Sequence, residues 1–267
     1  MADKSPPRPL LAGMRLFTSG FLSDQERDAL ERAALPPRPF RSGTDVVREG
    51  DVTGHLHFLI KGWACRYKTN RDGGRQIVGV SVPGDAANLD ALMFDRLNYG
   101  VRTLTAASVV AIPRERVLEL AEQHGGIARV LTWLALVDNA VLSEWALCLG
   151  RLSAHQRLAH LLCELATRST VNEGNASVFE LPLTQEQLAD TLGLTSVHVN
   201  RMMQQLRGEQ LIVTSGRLMT IPDMARLRDI GEFNPGYLHL EDGGVRRTPS
   251  AEVDGMRRQL SPRYMAC

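Results

Sequence analysis

Residues 183–206 limit what this chain can fold into more than any other stretch, because they read as two short helices joined by a tight turn. Thr184 precedes the first helix and Gln187 follows three residues on, the spacing of a capping box. Leu188 and Leu192 give that helix an apolar stripe, and the small Ala189 lets a second helix cross closely. Gly193 stands where the turn needs a positive φ angle. Thr195 is placed to cap the second helix, in which Val199, Met202 and Leu206 share the inner face while Ser196, Val197, Asn200, Arg201 and Gln204 point outward. Leucines at helical spacing around a glycine also make a plain helical hairpin. Residues 211–221, however, alternate about a turn at Ser215-Gly216, the pattern of a wing beside such a pair.

The outward set suits the edges of base pairs. An arginine such as Arg201 bonds both major-groove acceptors of guanine, Asn200 or Gln204 pairs with adenine, and Val197 meets a thymine methyl. Thr184, Thr195 and the helix N-termini suit phosphates. The candidate contacts to double-stranded DNA are therefore Thr184, Gln185, Thr195, Ser196, Val197, His198, Asn200, Arg201 and Gln204. The chain as a whole is near neutral, with 31 basic and 30 acidic residues, so any such contact is local. Residues 184–223 carry only Arg201, Arg207 and Arg217 as cations, against Glu186, Asp190, Glu209 and Asp223. So weak a footprint predicts modest affinity for one copy and favours a homodimer whose recognition helices lie about 34 Å apart.

Upstream the texture differs. Glycines recur between short Val-, Ile- and aromatic-rich runs over residues 40–113, the punctuation of an all-β unit. Alternation at Leu56, Phe58 and Ile60, and again at Val78, Val80 and Val82 beyond Asp72-Gly73-Gly74, predicts a hairpin with one buried face. Beyond Pro113 helical spacing begins, and a long helix near 127–150 is apolar almost all round. A coiled-coil seam through Leu131, Leu134, Val141, Trp145 and Cys148 has Asp138 in its stripe; one through Val130, Leu134, Val137, Val141 and Cys148 has Glu144. Leu131, Leu134, Val141 and Trp145 are the expected dimer contacts, with an ordinary core helix as the alternative.

That apolar stretch is broken by Arg129, Asp138 and Glu144, which argues against a membrane span. Four cysteines without CxxC spacing, and no signal-peptide pattern, point to reduced thiols in the cytoplasm. Residues 1–13 read as a flexible tail. Residues 233–240 suit a short docked segment, and 241–267 a mobile one. No nucleophile–base pair, metal-ligand cluster or phosphate loop is present in the pattern, so the expectation is no enzyme, no catalytic residue, no metal and no cofactor.

Along most of its length the chain resembles the Crp/Fnr family of bacterial transcription regulators. The resemblance is carried by Arg48-Glu49-Gly50-Asp51, Pro83-Gly84-Asp85, the long helix, Arg157-Leu158-Ala159 and, most specifically, residues 188–201. It implies an α+β chain with an N-terminal cyclic-nucleotide-binding-like β-roll, a long dimerisation helix and a C-terminal winged helix-turn-helix. The expected bounds are 14–125 for the roll, 126–152 for the helix, 153–231 for the DNA-binding unit and 232–267 for an extension. RNA polymerase is an implied partner. Members that bind cyclic AMP carry a Gly-Glu pair and an Arg-Ser pair where this chain has Ala87-Asn88-Leu89 and Leu97-Asn98-Tyr99, so neither carboxylate nor phosphate-binding arginine is in place. Oxygen-sensing members hold an iron–sulfur centre with an N-terminal cysteine cluster, and here no cysteine precedes Cys65. His55, His57 and Cys65 are read as core or surface residues rather than haem ligands. The effector is thus expected to be neither cyclic AMP nor an iron–sulfur cluster. Ser196-Val197 replaces the Arg-Glu pair of cyclic-AMP-binding members, which implies a different operator. The alternative reading is a small-molecule-binding module whose degenerate helix-turn-helix acts through protein contacts.

Overall fold

The computed structural model describes residues 10–170 and 178–240. It has the α+β architecture expected. After α1 (Arg15–Thr18) and α2 (Asp24–Ala33) come seven strands: β1 (Arg38–Phe40), β2 (Asp45–Val47), β3 (His55–Lys61), β4 (Ala64–Thr69), β5 (Arg75–Ser81), β6 (Gly100–Thr103) and β7 (Ala107–Pro113). A 3-10 turn, Leu89–Leu92, lies between β5 and β6. The strands form two antiparallel sheets, ordered β1-β7-β3 and β2-β6-β4-β5. Leu59, Ala64, Ala107 and Val109, from both sheets, meet between them. The β3–β4 corner is made by Gly62 at φ +81°, where an added Cβ would lie 2.3 Å from the carbonyl oxygen of Ala106, so only glycine fits.

Strand pairing departs from the sequence expectation. The Asp72-Gly73-Gly74 turn joins β4 to β5, whereas β3 pairs with β7. A register shift between Arg66 and Tyr67 accompanies an inner face on which Ile77, Val80 and Val82 are buried while Val78 is only half-buried.

Helix α3 (Arg114–Gln123) is followed by the long α4 (Gly125–Arg151), with His124 in an extended conformation between them. Helix α4 has the length and composition to cross a membrane, and the apolar side chains of one of its faces enter the chain's own cores. Ile127, Val130, Leu131 and Leu134 pack with α1, α2, β3 and β7. Val137, Val141 and Trp145 pack with Trp63, Ile77, Val80 and Val82 and with the C-terminal unit. Leu131, Leu134, Val141 and Trp145, the expected dimer contacts, are largely buried within the single chain. The opposite face of α4 stays open. There Leu136 is 63% and Leu142 43% exposed, beside Thr132, Ala135, Asn139, Ala146 and Leu149.

The C-terminal unit is built on α5 (Ala154–Thr170). Around it lie β8 (Val178–Glu180), α6 (Gln185–Leu192), α7 (Ser196–Gly208), β9 (Val213–Ser215), β10 (Leu218–Thr220) and α8 (Met224–Ile230). A closing 3-10 turn spans Pro235–Leu238. Leu158, Leu162, Leu165 and Ala166 of α5 are fully buried among Val199, Leu206 and Leu227 of α7 and α8. Within the expected tail at 1–13, Leu11 is buried and Ala12 and Gly13 are exposed, while residues 1–9 lie outside the described residues. Phe233 and Leu238 dock as expected, and the extension from 241 onward lies outside the described residues.

Candidate nucleic-acid interface

The pair α6–α7 forms for the local reasons read in the sequence. The Thr184 hydroxyl accepts from Gln187 N at 3.1 Å while the Gln187 side chain accepts from Thr184 N at 2.9 Å, which closes the capping box. Gly193 ends α6 in the left-handed region at φ +63°. Thr195 caps α7 by accepting from His198 N at 3.3 Å. Leu188, Ala189 and Leu192 of α6 are buried against Val199, Met202, Met203 and Leu206 of α7. That packing fixes which side of α7 is open. Ser196, Val197, Arg201 and Gln204 are exposed, Val197 to 78%, and His198 and Asn200 are half-buried at the same end.

The polar residues on this face are held by one another. Gln185 Nε2 donates to Asn200 Oδ1 at 3.3 Å, tying the first residue of α6 to the middle of α7. The Arg201 guanidinium donates to His198 Nε2 at 2.6 Å. Because arginine only donates, Nε2 here is the acceptor and the ring proton sits on Nδ1. The arrangement leaves most of the Arg201 donors facing outward, as recognition of a planar two-acceptor edge requires.

Beside the helix pair, β9 and β10 turn at Gly216 (φ +59°) and pair with β8 into a three-stranded sheet ordered β8-β10-β9. This is the expected wing. Arg217 at its tip lies 3.8 Å from Glu180, an exposed pair. The face as a whole therefore presents side chains that read hydrogen-bond patterns more than a field of positive charge.

Where the roll meets α4 there is little room for a ligand. Between β5, the Pro83-Gly84-Asp85 turn and α4 lies a cavity of about 30 Å³, lined by Arg15, Arg66, Asp85, Asp138 and Arg168 among others. That is roughly one water's share of volume, far below the ~300 Å³ at which ligand pockets begin. Its charged groups already pair: Arg66 with Asp138 at 2.6 Å and Arg168 with Asp85 at 2.7 Å. The residues present do not fit a cyclic nucleotide. Nor, among the described residues, do the thiols fit an iron–sulfur cluster, since Cys65, Cys148 and Cys163 are dispersed on β4, α4 and α5, and burial pushes each up to about 12. Among the described residues Glu144, Cys148 and His160 come together, but both His160 ring nitrogens are engaged, by the Gly231 carbonyl at 2.9 Å and the Tyr237 hydroxyl at 3.1 Å.

Sequence reasoning missed two features that bear on this face. Arg75 and Gln76 of the roll reach α6, with Arg75 Nε donating to Asp190 Oδ2 at 2.7 Å and Gln76 Nε2 to the Thr191 carbonyl at 3.2 Å. Glu164 and Tyr237 sit at the junction of α4, α5 and the C-terminal turn. Neither has a local pattern that could have revealed it.

Comparison with known proteins agrees with this layout. Residues 37–124 match the model of the cyclic nucleotide-binding domain and residues 156–230 that of the Crp-like helix-turn-helix domain. The transcriptional activator protein FnrL of Cereibacter sphaeroides is 30% identical over 207 residues, covering 75% of this chain and 83% of that protein. The nitrogen fixation regulation protein FixK of Bradyrhizobium diazoefficiens is 28% identical over 188 residues, 70% of this chain and 78% of its own. Among solved structures, FixK2 of Bradyrhizobium japonicum superposes with a TM-score of 0.67 at 24% identity, over 74% of this chain and 96% of that one.

Proposed function

The chain belongs to the Crp/Fnr family of transcription regulators, and from that premise we propose that it binds a two-fold operator as a homodimer, reading each half-site with residues 195–206. It is a DNA-binding regulator, and its relatives are transcription regulators rather than enzymes. The observation that carries the finer reading is the open face of α7, where Ser196, Val197, Asn200, Arg201 and Gln204 converge at the N-terminal half of a helix braced by α6 and a wing. Arg201 reads guanine, Asn200 or Gln204 adenine, and Val197 a thymine methyl; His198 holds Arg201, and Thr184, Gln185 and Thr195 meet phosphates.

Regulators of this family are typically dimeric. The seam we assign runs along the open face of α4. Thr132, Asn139 and Ala146 recur every seven residues, as do Ala135, Leu142 and Leu149, with Leu136 alongside. Asn139 in the middle of such a seam would set its register. The roll, 14–125, the dimer helix, 126–152, and the DNA-binding unit, 153–231, are the domain limits that go with this reading. The protein acts in the cytoplasm, with RNA polymerase as its partner. Its effector is neither cyclic AMP nor an iron–sulfur cluster, which the small cavity between the roll and α4 and the scattered described thiols support.

The scarcity of cations around α7 favours a second reading, a regulator acting through protein contacts. Footprinting on genomic fragments at several salt concentrations separates the two, since phosphate contacts make affinity fall steeply with salt. A protected two-fold site whose affinity drops with salt supports the operator reading. Salt-independent binding, or none on any duplex, supports the other.

A further inference from the structure

The roll and the C-terminal unit are joined by a ring of charges that are buried except at the half-buried Arg15. Glu164 of α5 is fully buried, and its carboxylate accepts from Trp145 Nε1 of α4 at 2.8 Å, from the Tyr237 hydroxyl at 2.8 Å and from the Arg168 guanidinium at 2.9 Å. Arg168 then donates to Asp85 of the roll and to the Val80 carbonyl, both at 2.7 Å. Asp85 faces Arg15 at 3.7 Å, and Arg15 donates at 2.8 Å to the carbonyl of Leu238, the neighbour of Tyr237. The path from Asp85 through Arg168, Glu164, the C-terminal turn and Arg15 returns to Asp85.

Two carboxylates and two guanidinium groups balance in that ring, so no charge is left unpaired. Burial would ordinarily disfavour the Arg168 charge, but Asp85 and Glu164 outweigh it and hold the guanidinium ionised. Burial and the neighbouring Glu164 push the Tyr237 phenol up, keeping it a donor. Buried ion pairs are a poor source of stability, because desolvation offsets the attraction; what they supply is a preference for the one arrangement that pairs their charges, here with Asp85 Oδ1 and Arg168 Nε left without a hydrogen bond. Here that arrangement links four separate elements. Since α7 packs on α5, whatever fixes α5 against α4 and the roll also fixes the recognition face.

We propose that Glu164, Arg168 and Tyr237 are positioning residues for operator binding, the ring setting the angle of the DNA-binding unit to the dimer helix and the C-terminal turn acting as its clasp. The contacts of Arg75 and Gln76 with α6 form a second tie at the rim. The proposal rests on the reading of α7 as the recognition helix, and its test has one arm that does not involve DNA. Full-length wild type, Tyr237→Phe and Glu164→Gln are compared; Tyr237→Phe removes one hydroxyl and leaves the packing.

In calorimetry, wild type should melt as one transition and the variants as two, with far-ultraviolet circular dichroism at 20 °C unchanged. A single transition, merely lowered, in Tyr237→Phe would overturn the proposal, for that is what a local stabilising contact gives. In the second arm, the duplex that wild type selects from a random pool is lengthened or shortened by one base pair between half-sites. Wild type should lose at least tenfold in affinity and Tyr237→Phe less than threefold, with equal affinity for an isolated half-site. Identical spacing profiles for the two proteins would overturn the positioning role. A wild type that selects no two-fold duplex refutes the operator reading instead, while calorimetry still decides whether the ring couples the two units.

Discussion

A lysine at Leu142 should dissociate the dimer without unfolding the chain. Leu142 is 43% exposed in the single chain, so its remaining surface is available to a partner. Full burial of a leucine is worth about 1.5–3 kcal/mol, and covering that remainder in both copies contributes about 2 kcal/mol. Two ammonium groups held about 8 Å apart across the axis repel by a further ~2 kcal/mol at an effective dielectric near 20. The combined loss of ~4 kcal/mol raises the dimer Kd about a thousandfold. Sedimentation velocity at micromolar concentration should show a monomer with unchanged circular dichroism. Leu134, only 6% exposed and packed in the roll-side core, gives the contrasting case: Leu134→Lys should cost stability outright. A Leu142→Lys protein that keeps wild-type mass, together with a folded, monomeric Leu134→Lys protein, would refute the outer seam.

Four further outcomes follow from the geometry. Asn139→Leu should tighten association and admit oligomers beyond the dimer, seen by native mass spectrometry, because a polar seam residue specifies register at a cost in stability. Arg201→Ala should weaken specific binding by about 1–3 kcal/mol in gel shifts and relax preference at one base position, with non-specific affinity falling less. Gly62→Ala should destabilise by ~3 kcal/mol or more in urea titrations, since it combines a left-handed φ with a 2.3 Å clash, whereas Gly43→Ala, also left-handed but facing open space, should cost about 1–2 kcal/mol. Cys65, Cys148 and Cys163, raised by burial to about 12, should resist alkylation at pH 8 until urea is added. A thiol whose folded pKa lies above its unfolded ~8.5 contributes stability that is intact below that pH and lost as pH rises toward 12, so the alkaline limb of the stability curve should flatten in the triple Cys→Ser variant if the thiols dominate it.

What the sequence revealed of this protein divides by the range of the interactions. The helix pair was legible residue by residue, because its capping box, left-handed glycine and inner face are each decided within a few positions of the chain. The β-roll was legible as a class but not as a pairing. Turn chemistry at Asp72-Gly73-Gly74 located a hairpin, yet nothing local said that β3 would pair with β7, far along the chain, or that a register shift at Arg66 and Tyr67 would accompany the burial of Ile77. The polar ring was invisible for a similar reason. Asp85, Glu164 and Tyr237 are distant in sequence, and each alone looks like an ordinary surface residue.

The long helix shows why all-round apolarity is ambiguous by itself. A helix with apolar residues on every side must be covered on every side, but periodicity does not say which face its own chain covers. Leu134 and Trp145 fall on a heptad seam by spacing, and they are also residues that the roll and α5 take up. The chain's own cores are formed at an effective concentration no second copy can match, so intramolecular packing claims the bulkiest stripe first. A dimer is left with the smaller-residue face of Thr132, Ala135, Asn139 and Ala146, punctuated by Leu136, Leu142 and Leu149. Such a face permits close approach of two helices while Asn139 discriminates among registers. In the proposed dimer the two recognition helices would depend on two joints in series, the α4 seam between copies and the charged ring within each copy. Loosening either should broaden the spacing tolerated between half-sites, but only loosening the seam should make binding steeply dependent on protein concentration.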